Sequence, residues 1–309
     1  MRPHLVLNPA SAAGRTGRHV DHIARAVRRA VGEFDLSFTQ RRGDGVALAR
    51  DAARAGSGLV VAVGGDGTAS EVVDGLVQAA RTGAVFGFIP RGTGGDLRRT
   101  LGVPEDVEAA ASALQAGADL VMDLGRVELT GHDGAPVTRT FANVAGFGIA
   151  GEVVRQVERT GKAFGGRTAF MLASGKALLG WRDVPVRWRI DGGPWREERI
   201  TSVSVCNGRF FGGGMMVAPG ARVDDGLFDV TVWKGLGLAD FVLRKGMLYD
   251  GSHVRLPNTT ALRGAVVEAE PLDGDPILLD VDGEQPGRLP ARFTMLPGAL
   301  CARVPRTSA

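Results

Sequence analysis

The chain has 309 residues and a mass of 32.3 kDa, which is long enough for two domains. Its formal net charge of +3 is small for this length, so the charge does not point to nucleic acid as a partner. The 44% of hydrophobic and 23% of charged residues are typical of a soluble globular protein, and the chain shows no internal repeat or low-complexity tract.

Strands and helices alternate in the first part of the chain. Residues 4–7 predict a strand, and the helix that follows places Val20, Ile23, Val27 and Val31 on one face. The further predicted elements are a strand at 35–39, a helix at 44–56, a strand at 60–63, a helix to about residue 80, a strand at 84–90 and a helix at 105–117. This alternation is typical of a doubly wound parallel sheet, so we predict an α/β nucleotide-binding domain over residues 1–125.

A glycine-rich loop, residues 64–68 (GGDGT), directly follows the apolar strand at 60–63. Glycine lets the backbone turn sharply and lets a ligand approach it closely. Thr68, with Glu71 three residues later, matches a capping box, so we predict Thr68 as the N-cap of the next helix. A helix N-terminus beside such a turn is an anion site, most often for phosphate. A carboxylate next to a phosphate is repelled unless a cation lies between them, so Asp66 suggests Mg²⁺.

A second glycine-rich loop, with Thr93 and Asp96, follows the next strand in PRGTGGDLRRTLGVP, residues 90–104. Either loop alone is a weak signal, because glycine turns after strands are common in α/β proteins. In a parallel sheet the two adjacent loops would line one crevice, which predicts a nucleotide site. The chain has no GxxxxGK[ST], and NPASAAGRTG, after the first strand, lacks GxGxxG. These absences argue against a P-loop and against a Rossmann dinucleotide site.

The second part of the chain, from about Asp123, consists mainly of predicted strands. They lie at 126–130, 138–148, 184–191, 199–208, 226–233, 265–270, 276–283 and 291–296, with helices near 149–180 and 238–248. We predict a β-sandwich-like domain over residues 126–309, with the last strand, about 298–305, a candidate to return to the first domain. An exposed strand edge would permit a homodimer.

The cellular location follows from the cysteines and from hydropathy. Cys206 and Cys301 are far apart and have no CxxC partner, so we expect neither a disulfide nor a cysteine-bound metal. The N-terminal apolar run is too short for a signal peptide, and no window approaches the length of a transmembrane segment. We therefore expect a cytoplasmic protein.

These segments resemble the diacylglycerol kinase catalytic family, which includes bacterial lipid kinases, sphingosine kinases and ceramide kinases. The resemblance rests on NPAS…GRTG, GGDGT, PRGTGGDLRRTLGVP, CNGRFFGGGMMVAPGARVDDGLFDV and LDVDGE. GGDGT is shared with NAD kinases and phosphofructokinases, but the Asn-Glu pair and the Thr-Gly-Ser-Thr-Ala segment of NAD kinases are absent. The resemblance implies an ATP- and Mg²⁺-dependent kinase acting on diacylglycerol or a related lipid, with its nucleotide site between the two domains.

The resemblance also implies roles for individual residues. It places ATP on Asn8, Thr39, Gly64, Gly65, Asp66, Gly67, Thr68, Ala69, Ser70, Gly92, Thr93, Gly94 and Asp96. Glu284 matches the general base, and Asp282 and Asp66 complete the catalytic carboxylates. Asp225 matches a metal-binding aspartate, assisted by the main-chain carbonyls of Arg222 and Leu227. By themselves, Asp225-Gly226 and Asp282-Gly283 predict only ordinary turns.

The chain departs from the family pattern at two places. Gly95 stands where the family usually has asparagine. Glycine at this position keeps the backbone N–H contacts but lacks the amide side chain. In GFGIAGEVV, the aspartate that commonly follows Gly-Phe is missing. Two alternatives therefore stay open: a nucleotide-binding protein without catalysis, which would act by regulation, and a soluble-substrate kinase of the NAD kinase and phosphofructokinase superfamily.

A lipid substrate would require peripheral contact with the inner face of the membrane. The segments 97–104, 159–184 and 243–251 mix arginine or lysine with apolar residues, which suits an anionic leaflet. The same pattern is expected of ordinary amphipathic helices that pack on the second domain.

Overall fold

The computed structural model describes residues 2–80, 82–160 and 166–306. The chain forms two compact units. One contains the residues up to Met122 together with those from Gly298 onward, and the other contains Asp123–Pro297. The chain passes from one unit to the other within two long strands, Ala118–Gly131 and Gly287–Val304.

The first unit is a parallel sheet with helices on both faces. Its strands are β1 (His4–Leu7), β2 (Asp35–Phe38), β3 (Leu59–Gly64) and β4 (Val85–Pro90). Its helices are α1 (Arg15–Arg18), α2 (Val20–Val31), α3 (Asp44–Arg54), α4 (Asp66–Ala79), α5 (Asp96–Thr100) and α6 (Val107–Ala116). The strand order is β2-β1-β3-β4, and Ala302 near the end of the chain pairs in parallel with Phe86 of β4.

The helices of this unit form two packed pairs, α2 with α6 and α3 with α4. The connections β1→β2 and β3→β4 run in opposite directions across the sheet, so right-handed crossovers place the two pairs on opposite faces. Because both faces are covered, residues 60–63 of β3 are fully buried. The α3–α4 contact requires Gly75, where a Cβ would lie 2.4 Å from the carbonyl oxygen of Val46. The predicted doubly wound α/β fold is confirmed.

The second unit contains two large β-sheets and one two-stranded sheet. Its strands are β5 (Ala118–Gly131), β6 (Pro136–Phe141), β7 (Val144–Gly148), β8 (Val184–Ile190), β9 (Arg196–Ile200), β10 (Ser202–Cys206), β11 (Phe210–Phe211), β12 (Met215–Met216), β13 (Phe228–Trp233), β14 (Thr259–Gly264), β15 (Val266–Pro271), β16 (Leu279–Val281) and β17 (Gly287–Val304). Its helices are α7 (Ile149–Thr160), α8 (Gly166–Leu178), α9 (Leu238–Asp250) and a 3₁₀ turn at Ser252–Arg255. One large sheet has the order β6-β5-β17-β15-β8-β9, the other has the order β14-β13-β10-β7-β16, and β11 pairs with β12 in the two-stranded sheet.

Aromatic and aliphatic side chains from both sheets form one core in this unit. Phe141 stacks on Phe228 with ring centroids 5.6 Å apart, and Phe147 stacks on Phe293 at 6.2 Å. In β17 every second residue from 289 to 295 is buried, which is the alternation of a strand with one face on the core. Burial of each such aromatic side chain contributes about 1.5–3 kcal/mol to the stability of the fold. The prediction of a β-sandwich-like domain is confirmed.

Three of the differences between the observed and the predicted strands concern β14, the pair β6 and β7, and β17. β14 was not predicted, because TTALRG has too few apolar residues to indicate a strand. The strand predicted at 138–148 is two strands, β6 and β7, interrupted at residues 142–143. The strands predicted at 291–296 and 298–305 are one continuous strand, β17. In each case the outcome depends on pairing with strands distant in the sequence rather than on local propensity.

A buried histidine makes the stability of the second unit depend on pH. His253 is 1% exposed, packs against Trp233 with ring centroids 5.6 Å apart, and its Nδ1 lies 3.2 Å from the carbonyl oxygen of Met247. Burial lowers the pKa of His253 below its ordinary value, although the hydrogen bond to Met247 opposes this shift. As the pH falls towards the ordinary pKa of histidine, His253 therefore takes up its proton more readily in the unfolded chain than in the folded chain.

We expect the unfolding temperature to fall as the pH is lowered from about 7.5 to about 5.5, because protonation then favours the unfolded state. The His253→Gln variant should lose part of this slope, and a matched His132→Gln substitution at an exposed position should keep it. Thermal unfolding followed by circular dichroism across this pH range measures both slopes. Equal slopes for the wild type and His253→Gln would contradict the assignment.

Candidate functional site

The predicted nucleotide-binding residues lie together at one edge of the parallel sheet in the first unit. Asn8 follows β1, Thr39 follows β2, residues 64–70 lead from β3 into α4, and residues 92–96 lead from β4 into α5. The direction of the connections reverses between β1 and β3, and such a switch point is where open α/β sheets bind ligands.

A hydrogen bond crosses the switch point. Asn8 donates from Nδ2 to Thr68 Oγ1 at 3.1 Å, and its backbone N–H donates to the carbonyl oxygen of Val63 at 3.0 Å. Thr68 is buried, and its side chain occupies the space beside Gly64, where a Cβ would lie 2.4 Å from Oγ1. The end of β1 is thereby fixed against the first turn of α4.

The prediction that Thr68 caps α4 is wrong. The N-cap residue is Gly65, and Glu71 does not reach back to it. The Glu71 carboxylate instead accepts the backbone N–H groups of Gly43 at 2.8 Å and Gly45 at 2.9 Å, at the start of α3. Within the described ranges no side chain caps α4, so its first N–H groups are available to an anionic ligand.

Asp66 joins the two glycine-rich loops. Its Oδ2 accepts the backbone N–H of Gly95 at 2.7 Å, and its Oδ1 accepts that of Leu97 at 3.1 Å. Gly95 has a φ of 70°, in the region that favours glycine, and it contributes its backbone donor without a side chain. Each carboxylate oxygen has a second lone pair, so Asp66 can hold this contact and still face a cation.

The two loops also pack backbone against backbone. The N–H of Arg91 donates to the carbonyl oxygen of Gly64 at 2.5 Å, and a Cβ on Gly92 would lie 2.6 Å from the Cα of Gly65. A Cβ on Gly94 would lie 2.6 Å from Asp66 Oδ2. These glycines are therefore required by the contact between the loops, in addition to any ligand approach that the sequence predicts.

Two arginines of α5 support the second loop. Arg99 Nη1 donates to the carbonyl oxygen of Gly94 at 2.5 Å and to Asp96 Oδ1 at 3.2 Å. Arg98 lies against Gly95, where a Cβ would be 2.8 Å from its Nε. The arginine thus fills the space in which an asparagine side chain at position 95 would begin.

In the second unit, the tight turn after β16 carries Asp282 and Glu284. Val281 and Glu284 exchange two backbone hydrogen bonds, at 2.8 and 3.0 Å, and both residues between them have positive φ. The Asp282 carboxylate accepts the backbone N–H groups of residues 142–144 at 2.8–3.1 Å. Asp282 therefore fixes this turn against the start of β7, and the turn holds the half-buried Glu284 in place.

Two buried polar residues that the sequence analysis did not identify link this turn to the predicted metal loop. Asn207 is fully buried, and its Nδ2 donates to the carbonyl oxygens of Ala142 at 2.8 Å and Asp123 at 2.9 Å. The Asp123 side chain accepts the N–H of Gly226 at 2.7 Å. The signal that could have found Asn207 is the polar CNG stretch at the end of an apolar strand.

The predicted metal ligands Arg222, Asp225 and Leu227 lie in the loop before β13. Asp225 Oδ1 accepts the N–H of Leu227 at 3.2 Å, and its Oδ2 is paired with Arg263 of β14. In the part of the chain that the structure describes, no three Asp, Glu, His or Cys side chains are grouped to hold a metal ion. The residues present do not fit the implied cation, because a guanidinium already neutralises the carboxylate that would bind it.

The segments predicted to meet a membrane differ in exposure. In 97–104 the apolar residues are buried, so this segment packs on its own unit. Residues 161–165 of the second segment lie outside the described residues. The large apolar side chains exposed on α8, α9 and the residue after α8 are Leu172, Leu179, Val242 and Leu243. Among the helices that the structure describes, none is both long enough and apolar enough to cross a bilayer.

The chain is similar to known families, proteins and structures along most of its length. Residues 2–127 match the diacylglycerol kinase catalytic domain, and residues 143–303 match the YegS C-terminal NAD kinase beta sandwich-like domain. A diacylglycerol kinase of Bacillus subtilis is 30% identical over 300 residues, covering 96% of this chain and 93% of that protein. A probable YegS-like lipid kinase of Chromohalobacter salexigens is 32% identical over 292 residues, covering 92% and 88%.

A solved structure shows the same fold. The crystal structure of a putative diacylglycerol kinase from Bacillus anthracis matches with a TM-score of 0.81 at 23% identity, covering 100% of this chain and 96% of that one.

We expect Gly92→Ala to lower the unfolding temperature, because its Cβ would lie 2.6 Å from the Cα of Gly65 and backbone on both sides cannot yield cheaply. Overpacking of this kind costs about 1–3 kcal/mol. The matched control is Gly67→Ala in the other loop, where a Cβ meets nothing within 4 Å and stability should be kept. Thermal unfolding of both variants tests this, and a wild-type unfolding temperature for Gly92→Ala would contradict the loop contact.

Proposed function

Because this chain belongs to the diacylglycerol kinase catalytic-domain family, we propose that it transfers the γ-phosphate of ATP to a lipid hydroxyl in the presence of Mg²⁺. Diacylglycerol or a chemically related lipid is the proposed acceptor, since the similar proteins are named diacylglycerol kinase and lipid kinase. The observation that carries the proposal is the pair of glycine-rich loops that Asp66 joins at the switch point of the parallel sheet.

The loops supply what phosphoryl transfer requires of a protein, which is mainly positioning and neutralisation of charge. In this proposal the phosphates of ATP bind at the uncapped N-terminus of α4 and along residues 92–96, while Asn8 and Thr39 complete the edge. Mg²⁺ would be held by Asp66 together with the phosphates, as one or two carboxylates usually suffice for this ion in nucleotide sites. When bound, it would neutralise the charge of the phosphates.

Glu284 is the proposed general base, which accepts the proton of the lipid hydroxyl as that oxygen attacks. Asp282 is assigned a positioning role, because its carboxylate is bonded to three backbone N–H groups and holds the turn that carries Glu284.

The glycine at position 95 is one reason to consider that the chain binds nucleotide without catalysis. The role that this position has in the structure, donation of a backbone N–H to Asp66, does not require a side chain. This supports an active enzyme. The soluble-substrate alternative differs by its acceptor, and it predicts a rate that does not depend on vesicles or detergent.

We expect transfer of labelled γ-phosphate from ATP and Mg²⁺ to one lipid of a panel in mixed micelles, comprising diacylglycerol, phosphatidylglycerol, ceramide, sphingosine and monoacylglycerol. Glu284→Gln should reduce the rate about 10²–10⁴-fold while nucleotide binding is kept, because general-base catalysis contributes on this scale. The matched control is Glu197→Gln, at an exposed position of β9, which should keep the full rate.

Asp66→Ala should abolish both nucleotide binding and transfer, because it removes the carboxylate that joins the loops. Transfer to none of the lipids, with ATP binding intact, would contradict the proposed kinase and favour the non-catalytic alternative. An undiminished rate in Glu284→Gln would contradict the assignment of the base alone.

Peripheral contact with the inner face of the membrane is proposed for the exposed apolar side chains of α8 and α9. Leu243 is 82% exposed, with the cationic Arg244 and Lys245 next to it in the chain. Lys176 of α8 lies between the exposed Leu172 and Leu179 in the sequence. Apolar side chains beside basic ones suit the surface of an anionic bilayer.

We expect Leu243→Glu to weaken binding to anionic phosphatidylglycerol vesicles by roughly tenfold or more, because it removes apolar burial and adds a repelled charge. Vesicle co-sedimentation measures this. The control is Leu272→Glu, at another exposed leucine of the same unit, which should bind like the wild type. Equal loss in both variants would contradict the assignment of this surface.

A further inference from the structure

Three aspartates lie in or beside the loop that the family resemblance assigns to a metal ion. Asp224 pairs with Arg222 at 3.2 Å, at an exposed position. The side chains of Asp225 and Asp229 are only 20% and 18% exposed. Two partly buried carboxylates that contact the same side chain are stabilised by a cation between them, since leaving them unpaired is costly.

One guanidinium contacts both of these carboxylates. Arg263 pairs through Nη2 with Asp225 Oδ2, and its Nε lies 3.3 Å from Asp229 Oδ2. Arg263 stands directly opposite Asp229 in the antiparallel pairing of β13 and β14, so the register of the two strands sets its position. The planar fork of a guanidinium offers several donors in fixed directions and suits two acceptors at once.

A divalent cation and the guanidinium of Arg263 would compete for the Asp225 carboxylate. A cation in the implied position would take Asp225 together with the carbonyl oxygens of Arg222 and Leu227, and Mg²⁺ requires nearly ideal octahedral geometry. The guanidinium on Oδ2 already balances the charge of the Asp225 carboxylate, whereas the donors to Asp66 are neutral backbone N–H groups that leave its charge for an ion. A second cation beside Arg263 would also be repelled by it.

We propose that the guanidinium of Arg263 takes the place of a bound divalent cation and holds the loop of residues 222–227 without a metal. The geometry of Asp225, Asp229 and Arg263, together with family membership, carries this inference, and it does not depend on the proposed kinase activity. It concerns this loop and not the Mg²⁺ that accompanies ATP. The loop matters to the rest of the unit, because Gly226 within it is bonded to Asp123.

The test compares thermal unfolding of the full chain without nucleotide, with EDTA and with MgCl₂ at constant ionic strength. We expect the wild type to have the same unfolding temperature in EDTA and in MgCl₂. Arg263→Gln should unfold at a lower temperature in EDTA and regain roughly 5 °C in Mg²⁺ at about 100 times the dissociation constant, because the two carboxylates then recruit the ion. The double variant Arg263→Gln with Asp225→Asn should not regain stability.

The matched control is Arg292→Gln, which removes an arginine paired with Glu268 elsewhere in the same unit and should show no response to Mg²⁺. A second measurement does not depend on the folding of Arg263→Gln. Binding of Mn²⁺, followed by electron paramagnetic resonance without nucleotide, should be the same in the wild type and in Asp225→Asn. A site in the wild type that Asp225→Asn removes would overturn the proposal, as would an Arg263→Gln variant that folds but does not respond to Mg²⁺.

Discussion

The carboxylate of Asp66 accepts hydrogen bonds from the N–H groups of Gly95 and Leu97, and the geometry of the proposed nucleotide site depends on this contact. Hydrogen bonds to a charged acceptor contribute about 1.5–3 kcal/mol, so this pair is strong enough to hold two short loops together. Because Gly65 and Gly92 have no side chains, the loops meet backbone to backbone. A ligand would then find its N–H donors already in position, which lowers the entropic cost of binding.

Aspartates have the same structural use in the second unit. Asp282 holds the turn after β16 by accepting three N–H groups, and Asp123 holds the loop before β13 by accepting that of Gly226. Asp225 is instead balanced by Arg263. A motif that is rich in aspartate and glycine can therefore mark turns fixed by carboxylates as well as groups that act on a substrate. This is why Asp282 is assigned to positioning and Glu284 to proton transfer.

The sequence predicted the architecture better than the contacts. The alternation of strands and helices, the sandwich and the location of both glycine-rich loops followed from hydrophobic periodicity and from glycine after buried strands. Thr68 and Glu71 have the spacing of a capping box but do not form one. Thr68 instead accepts a hydrogen bond from Asn8, and Glu71 accepts the N–H groups at the start of α3. β14 was missed, and with it Arg263, since its sequence has no strand signal apart from its pairing with β13.

By itself, the sequence determined which segments are buried on one face or on two, and where the backbone turns, because these properties depend on residues within a few positions of one another. Only the tertiary structure decided which carboxylate meets which donor. Asp66 is 29 residues from Gly95, Asp225 is 38 from Arg263, and Asp282 is 140 from Ala142. Such partners are set by strand order and register, which depend on the packing of the whole unit and leave no local pattern to recognise.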